Sequence, residues 1–181
     1  MNWANLITFL RLLLIPVVII CYYASFSSAN LWAAILFTIA SMSDWLDGYL
    51  ARKLGLTSAF GAFLDPVADK LLVAMVLIML VTAYPVLLLA TGIIISREIL
   101  ISALREWMAS KGRRDAVAVA FSGKLKTTVQ MFAIIALLFY SAESPQWIWQ
   151  LGLWGIHLAA LLSVYSMVHY FRNAWSALQE S

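Results

Sequence analysis

Apolar residues along this chain come in long, nearly unbroken runs separated by short polar stretches. A soluble amphipathic helix would instead show apolar residues at spacings of three and four. A membrane span needs about 20 predominantly apolar residues. On that rule the pattern predicts six helical spans, at 6–26, 31–50, 67–83, 85–108, 118–140 and 147–171. Composition agrees. Of the 181 residues, 64% are hydrophobic and only 12% charged, against about a quarter charged in an ordinary soluble domain, and mean hydropathy is +0.89. The expectation is an all-α integral membrane protein, a bundle of six transmembrane helices. No linker rich in Gly, Ser or Pro and no internal repeat divides it, so residues 1–181 are read as one domain. The first run is read as a retained span rather than a signal peptide, because no small-residue cleavage site follows it. A single cysteine, Cys21, excludes an intramolecular disulfide.

Charge placement gives the topology. Arg11, Arg52, Lys53, Lys70, Arg97, Arg105, Lys111, Arg113, Arg114, Lys124, Lys126 and Arg172 all fall toward one side of the span map. The opposite loops read YYASFSSAN, VTAYP and YSAESPQW and contain no Lys or Arg. Basic residues mark the cytoplasmic side, so both termini are expected in the cytoplasm. Tryptophans near span ends (Trp3, Trp45, Trp107, Trp147, Trp149 and Trp175) fit interfacial belts.

One polar stretch stands apart: DWLDGYLARKLGLTSAFGAFLDPVADK, Asp44 to Lys70, with aspartates at 44, 47, 65 and 69. Asp44 and Asp47 are spaced i, i+3, and Asp65 and Asp69 i, i+4, so each pair shares a helical face. An antiparallel pairing of the second and third spans would let the faces converge. Four carboxylates at one point repel and require compensating cation. Hard oxygen ligands suit Mg²⁺ or Mn²⁺, two ions balance four carboxylates, and two-metal sites serve phosphoryl transfer. Gly48, Ala51 and Gly61 present bare backbone beside the aspartates, and Arg52 can reach a phosphate oxygen. Asp65-Pro66 has the form of a helix start, with Asp65 as cap and Pro66 at the first helical position. Singly, these residues could be a cap, packing glycines and topology determinants. Together at a membrane surface they point to a site.

The stretch fits D-x-x-D-G-x-x-A-R-x8-G-x-x-x-D-x-x-x-D at every fixed position, and in this it resembles the CDP-alcohol phosphatidyltransferase family. NLITFLR, Asn5–Arg11, is similar to that family's opening P-N-x-L-T-x-x-R segment, with Ala4 where Pro is usual. SREILISALREW (Ser96–Trp107), GKLKTTVQM (Gly123–Met131) and SVYSM resemble the branch whose acceptor is glycerol 3-phosphate. The resemblance implies transfer of a phosphatidyl group from CDP-diacylglycerol to that acceptor, with release of CMP, on a homodimer in the plasma (inner) membrane whose active site faces the cytoplasm. No nucleic-acid partner is implied. By the same resemblance Asp44, Asp47 and Asp65 hold two Mg²⁺ or Mn²⁺ ions. Asp69 is the general base, and also a candidate metal ligand. Asn5, Thr8, Gly48, Ala51, Arg52 and Gly61 contact the CDP-lipid.

An anionic acceptor needs its phosphate held, and Arg97, Arg105, Lys124 and Lys126 are the candidates, with Lys70 behind them. Arg97 and Arg105 are eight residues apart, about two helical turns, hence near one face. Lys124 and Lys126 fall on different faces. Arg113 and Arg114 are read as topology anchors, and Glu98 and Glu106 as groups that can orient neighbouring arginines. His157 is read as a hydrogen-bonded packing residue, and His169 as a residue near the cytoplasmic end of the last span. Rival readings are another acceptor alcohol (serine, inositol phosphate or a phospholipid), a divalent-cation transporter and a prenyltransferase. The one-sided placement of the acidic residues disfavours the transporter, and the G-x-x-A-R segment disfavours the prenyltransferase.

Overall fold

A computed structural model describes residues 3–54, 59–112 and 121–179; within these, the side chains of 3–8, 44–54, 59–63, 121–122 and 176–179 are outside the description. Six α-helices are present among the described residues: α1 (Trp3–Tyr22), α2 (Ala29–Leu54), α3 (Ala59–Ala83), α4 (Leu88–Ser110), α5 (Phe121–Phe139) and α6 (Gln146–Gln179). None of the described residues is in a strand. Three of the predicted spans have the length and composition to cross a membrane, as Leu64–Ala83, Pro85–Ser110 and Gln146–Trp175. Phe9–Tyr22 and Ala29–Ser43 are shorter apolar segments.

Local chemistry accounts for the breaks. Tyr84, ahead of Pro85, has φ −134° and ψ 82°, because the proline ring crowds the preceding residue out of the helical region. The chain then turns through the 3₁₀ segment Pro85–Leu87 into α4. At the far end of α4, Gly112 takes φ +72°, the left-handed stop that glycine supplies past a helix C-terminus. One expectation fails here. Asp65-Pro66 does not start a helix: α3 begins at Ala59 and carries Pro66 inside it. Proline removes one backbone donor, which a bundle tolerates where neighbouring helices support the segment.

The helices pack unevenly. α5 lies along α6, α1 along both α2 and α3, and α4 along α6, whereas α2 barely meets α3. The expected α2–α3 hairpin is therefore mediated by α1 among the described residues. The main core includes Val18, Phe37, Leu72, Leu77, Leu80, Ile94, Ile134 and Ile156. A smaller one between α4 and α6 gathers Ile101, Leu104, Met108, Tyr170 and Ala174. Large apolar side chains also cover the outside: on α6 alone Trp147, Leu151, Trp154, Leu158, Leu161, Tyr165 and Val168 are exposed. Polar groups are buried instead, Arg11, Arg97, Lys126, Gln130, Ser163 and Ser166 among them. That inversion of a soluble protein's arrangement is what a lipid surrounding favours.

The α5–α6 contact depends on small residues. A Cβ added at Gly155 would lie 2.6 Å from the Cβ of Ala133, and one at Gly152 would lie 2.5 Å from Cγ of Leu137. Small residues let helix backbones approach closely in membranes. Gly155→Val should therefore cost about 1–3 kcal/mol, because neither the Ala133 methyl nor the α5 backbone can move aside. Gly92→Ala, where nothing lies within 4 Å of the added Cβ, should be neutral or stabilising by up to about 1 kcal/mol from helix propensity. Thermal unfolding of the two variants in detergent checks the contrast; equal melting temperatures would refute it.

Candidate active site

α3, α4 and α5 touch one another only slightly, and the space between them is a cavity of about 440 Å³. Most of its wall is apolar, including Leu71, Leu77, Ile95, Ile99 and Met131. Its polar residues are Asp69 and Lys70 from α3, Glu98 and Ser102 from α4, and Lys126, Thr127 and Gln130 from α5. Such a cavity can accept a molecule that is apolar along one part and anionic at the other.

Glu98 organises the polar part. One of its carboxylate oxygens accepts hydrogen bonds from Arg97 Nη1 at 3.0 Å and from the Lys126 ammonium. The Ser102 hydroxyl donates to the Glu98 carbonyl at 2.6 Å and accepts from the Lys70 ammonium. Lys126 is only 3% exposed and also interacts electrostatically with Asp69. A buried ammonium is tolerable only when paired and hydrogen-bonded. Glu98 thus pairs with both Arg97 and Lys126, Asp69 acts on Lys126, and Lys70 is tied to α4 through Ser102. The lysines at this polar end suit an anionic ligand.

A second basic cluster lies between α4 and α6. Arg97 Nη2 donates to Ser166 Oγ at 3.1 Å, and Arg105 Nη2 donates to the Tyr170 hydroxyl at 2.8 Å. Both guanidinium groups lie near the Tyr170 ring, 5.7 Å and 5.2 Å from its centroid. The eight-residue spacing does place Arg97 and Arg105 on one face, and that face meets α6. Neither lines the cavity, and Arg97 reaches it through Glu98.

The remaining site residues separate as follows. Lys126 lines the cavity, whereas Lys124, two residues earlier, is exposed. Asp65 and Asp69 are half-buried, one turn apart on α3. Positions 44, 47, 48, 51 and 52 lie on the unbroken helix α2, Gly61 on α3, and Asn5 and Thr8 on α1, with their side chains outside the described residues. Arg113 and Arg114 also lie outside the described residues. Among the described residues, no group of three His, Cys, Asp or Glu side chains is placed to hold a metal; two of the four expected aspartates are not in that set. His157 Nδ1 pairs with the Leu153 carbonyl at 2.8 Å, as a packing histidine should, and His169 is exposed beside Asn173. Sequence reasoning passed over Gln130, Ser102 and Thr127. For Gln130 a signal was present, since it stands i+4 from Lys126 as the last polar residue before the apolar run MFAIIALLF.

The model of the CDP-alcohol phosphatidyltransferase family matches residues 1–169, including the whole aspartate motif. The chain belongs to that family. It is similar over its length to proteins named CDP-diacylglycerol–glycerol-3-phosphate 3-phosphatidyltransferase. The one from Wigglesworthia glossinidia brevipalpis is 41% identical over 180 residues, covering 98% of this chain and 97% of the relative. That from Pectobacterium atrosepticum is 43% identical over 181 residues, covering 99% and 98%. That from Yersinia enterocolitica is 40% identical over 185 residues, also covering 99% and 98%.

Because Glu98 satisfies Arg97 and Lys126 together, Glu98→Gln should leave two buried cations without their carboxylate and cost about 1–3 kcal/mol. Glu106→Gln, at an exposed position, should change stability by less than about 0.5 kcal/mol. Melting temperatures of both variants in one detergent decide this. An unshifted Glu98→Gln would remove Glu98 from its organising role.

Proposed function

We propose that this chain transfers the phosphatidyl group of CDP-diacylglycerol to glycerol 3-phosphate, forming phosphatidylglycerophosphate and CMP in phospholipid biosynthesis. The observation that carries the reading is similarity at about 40% identity, over nearly the full length, to relatives named for that reaction. The cavity supports it, since apolar wall and cationic end together match a lipid donor and an anionic acceptor.

In this reading the acceptor hydroxyl oxygen bonds to the phosphorus next to the lipid, the bond from that phosphorus to CMP breaks, and the hydroxyl proton passes to Asp69. Asp69 lines the same cavity as Lys126, which supports its role as general base. Lys126 holds the acceptor phosphate, oriented by Glu98, while Arg97 holds Glu98 from behind and Arg105 and Lys124 supply flanking positive potential. Asn5, Thr8, Gly48, Ala51, Arg52 and Gly61 belong to the CDP-lipid side. Asp44, Asp47 and Asp65, with Asp69 as a further ligand, form a donor set of carboxylate oxygens alone, which fits two hard divalent ions, Mg²⁺ or Mn²⁺. When bound, such ions would neutralise the charge that develops on the pyrophosphate oxygens.

The setting follows from the same reading. Six spans form a single domain over residues 1–181, with both termini and the cavity's charged end on the cytoplasmic side of the plasma (inner) membrane. The protein works as a homodimer. Basic residues confined to one side of the span map support this orientation.

Purified protein given CDP-diacylglycerol, glycerol 3-phosphate and Mg²⁺ should release CMP, and a chelator should abolish the release. Inactivity with this acceptor but turnover with serine or inositol phosphate would replace the acceptor assignment. Asp69→Asn should abolish turnover while leaving CDP-lipid affinity within about threefold; joint loss of both would make Asp69 a metal ligand rather than the base. Lys126→Met should raise KM for glycerol 3-phosphate about tenfold or more and KM for the lipid far less. An unchanged acceptor KM would take the phosphate away from Lys126.

A further inference from the structure

Gln130 has no role in the machinery above, yet it is a cavity-lining polar residue with a buried unpaired atom. It stands on α5 one turn beyond Lys126, at the point where the helix becomes wholly apolar as MFAIIALLF to Phe139. It is only 3% exposed. Its side chain lines the same cavity as Asp69 and Lys126, and its Oε1 is buried with no hydrogen-bond partner among the described residues. A methionine or leucine there would fill the volume without stranding a polar atom. A buried amide oxygen left unpaired costs free energy, so a donor from outside the chain is the natural complement.

We propose that Gln130 reads the acceptor's second hydroxyl, the one that does not attack phosphorus, by accepting its hydrogen bond at Oε1. This deepens the reading under Proposed function and rests on it. Three constraints select that group. The attacking hydroxyl gives its proton to Asp69 and is already committed. The diacylglycerol half of the lipid donor carries only acceptor oxygens, and the CDP half, with its ribose hydroxyls and cytosine amine, is set by the proposed function beside residues that do not line this cavity. The rise from Lys126 to Gln130 is about 6 Å, comparable with the reach from the phosphate of a three-carbon phosphorylated polyol to its hydroxyl-bearing carbons. A pocket built to pair a substrate hydroxyl discriminates against an analogue lacking it, because its own polar group is then stranded. Gln130 is thus a specificity determinant for a polyol phosphate over a simple alcohol phosphate.

The test compares two acceptors that differ only at that hydroxyl, glycerol 3-phosphate and 3-hydroxypropyl phosphate. CMP release is measured with the full-length protein, CDP-diacylglycerol and Mg²⁺. The wild-type protein should favour glycerol 3-phosphate by at least about tenfold in kcat/KM. In Gln130→Met, near-isosteric but without the amide, the ratio should fall to within about twofold of one. Gln130→Asn keeps an amide but withdraws its oxygen toward α5, and should lower the ratio in the same direction. A wild-type ratio near one overturns the proposal. So does retention of the wild-type ratio in both variants, including the case where both acceptors are lost equally and Gln130 merely supports the fold. A wild-type protein that turns over neither acceptor, but does use another alcohol, fails the acceptor assignment itself and is recognised by that substrate.

Discussion

The structure depends on one carboxylate placed among cations inside an apolar bundle. α3, α4 and α5 barely pack against one another, so the space between them is held open at its polar part by hydrogen bonds and charge. Glu98 links α4 to α5 through Lys126, and its backbone carbonyl is tied to Lys70 of α3 through Ser102. Without that carboxylate, the nearly fully buried Lys126 would lose the group it is hydrogen-bonded to while keeping Arg97 nearby, which is costly in a low dielectric. With it, Lys126 and Arg97 are both paired. The same network therefore holds three helices together and leaves a place for an anion.

Much of this was legible in the chain, for physical reasons that also mark the limits. Long apolar runs locate helices because a bilayer requires about 20 such residues per crossing, and all six helices lie where the runs predict them. Their ends are another matter. Hydropathy marks where a helix would enter lipid, not where its hydrogen bonding begins, so α3 starts at Ala59 and α6 continues to Gln179. The Asp65-Pro66 pair illustrates the same point. A proline suits a first turn because its missing donor is not needed there, but it also survives within a packed helix, and the dipeptide alone cannot distinguish the two.

At the site, spacing along one helix was readable and facing between helices was not. Residues four apart share a face, so Asp65 with Asp69, and Lys126 with Gln130, are pairs that the sequence carries in full. Arg97 and Glu98 are adjacent and therefore about 100° apart around α4. One must look one way and the other another, but only packing shows that the arginine turns to Ser166 and Tyr170 on α6 and the glutamate to the cavity. A count of basic residues near the interface thus overstates how many line the cavity. Lys126 does; Arg97 meets it only through Glu98, and Arg105 donates to the Tyr170 hydroxyl.

The division between α6-facing and cavity-facing charge also bears on how two unlike substrates meet. A cavity lined throughout by free cations would hold any anion and would be costly to keep empty. Here Glu98 pairs with Lys126 and Arg97, and Asp69 acts on Lys126, so the cations are already held by carboxylates of the chain. A ligand gains most if it adds something the network lacks, such as a proton donor for the stranded oxygen of Gln130. If Gln130 reads the acceptor as proposed, selectivity in this arrangement comes from what the cavity leaves unsatisfied more than from its net charge.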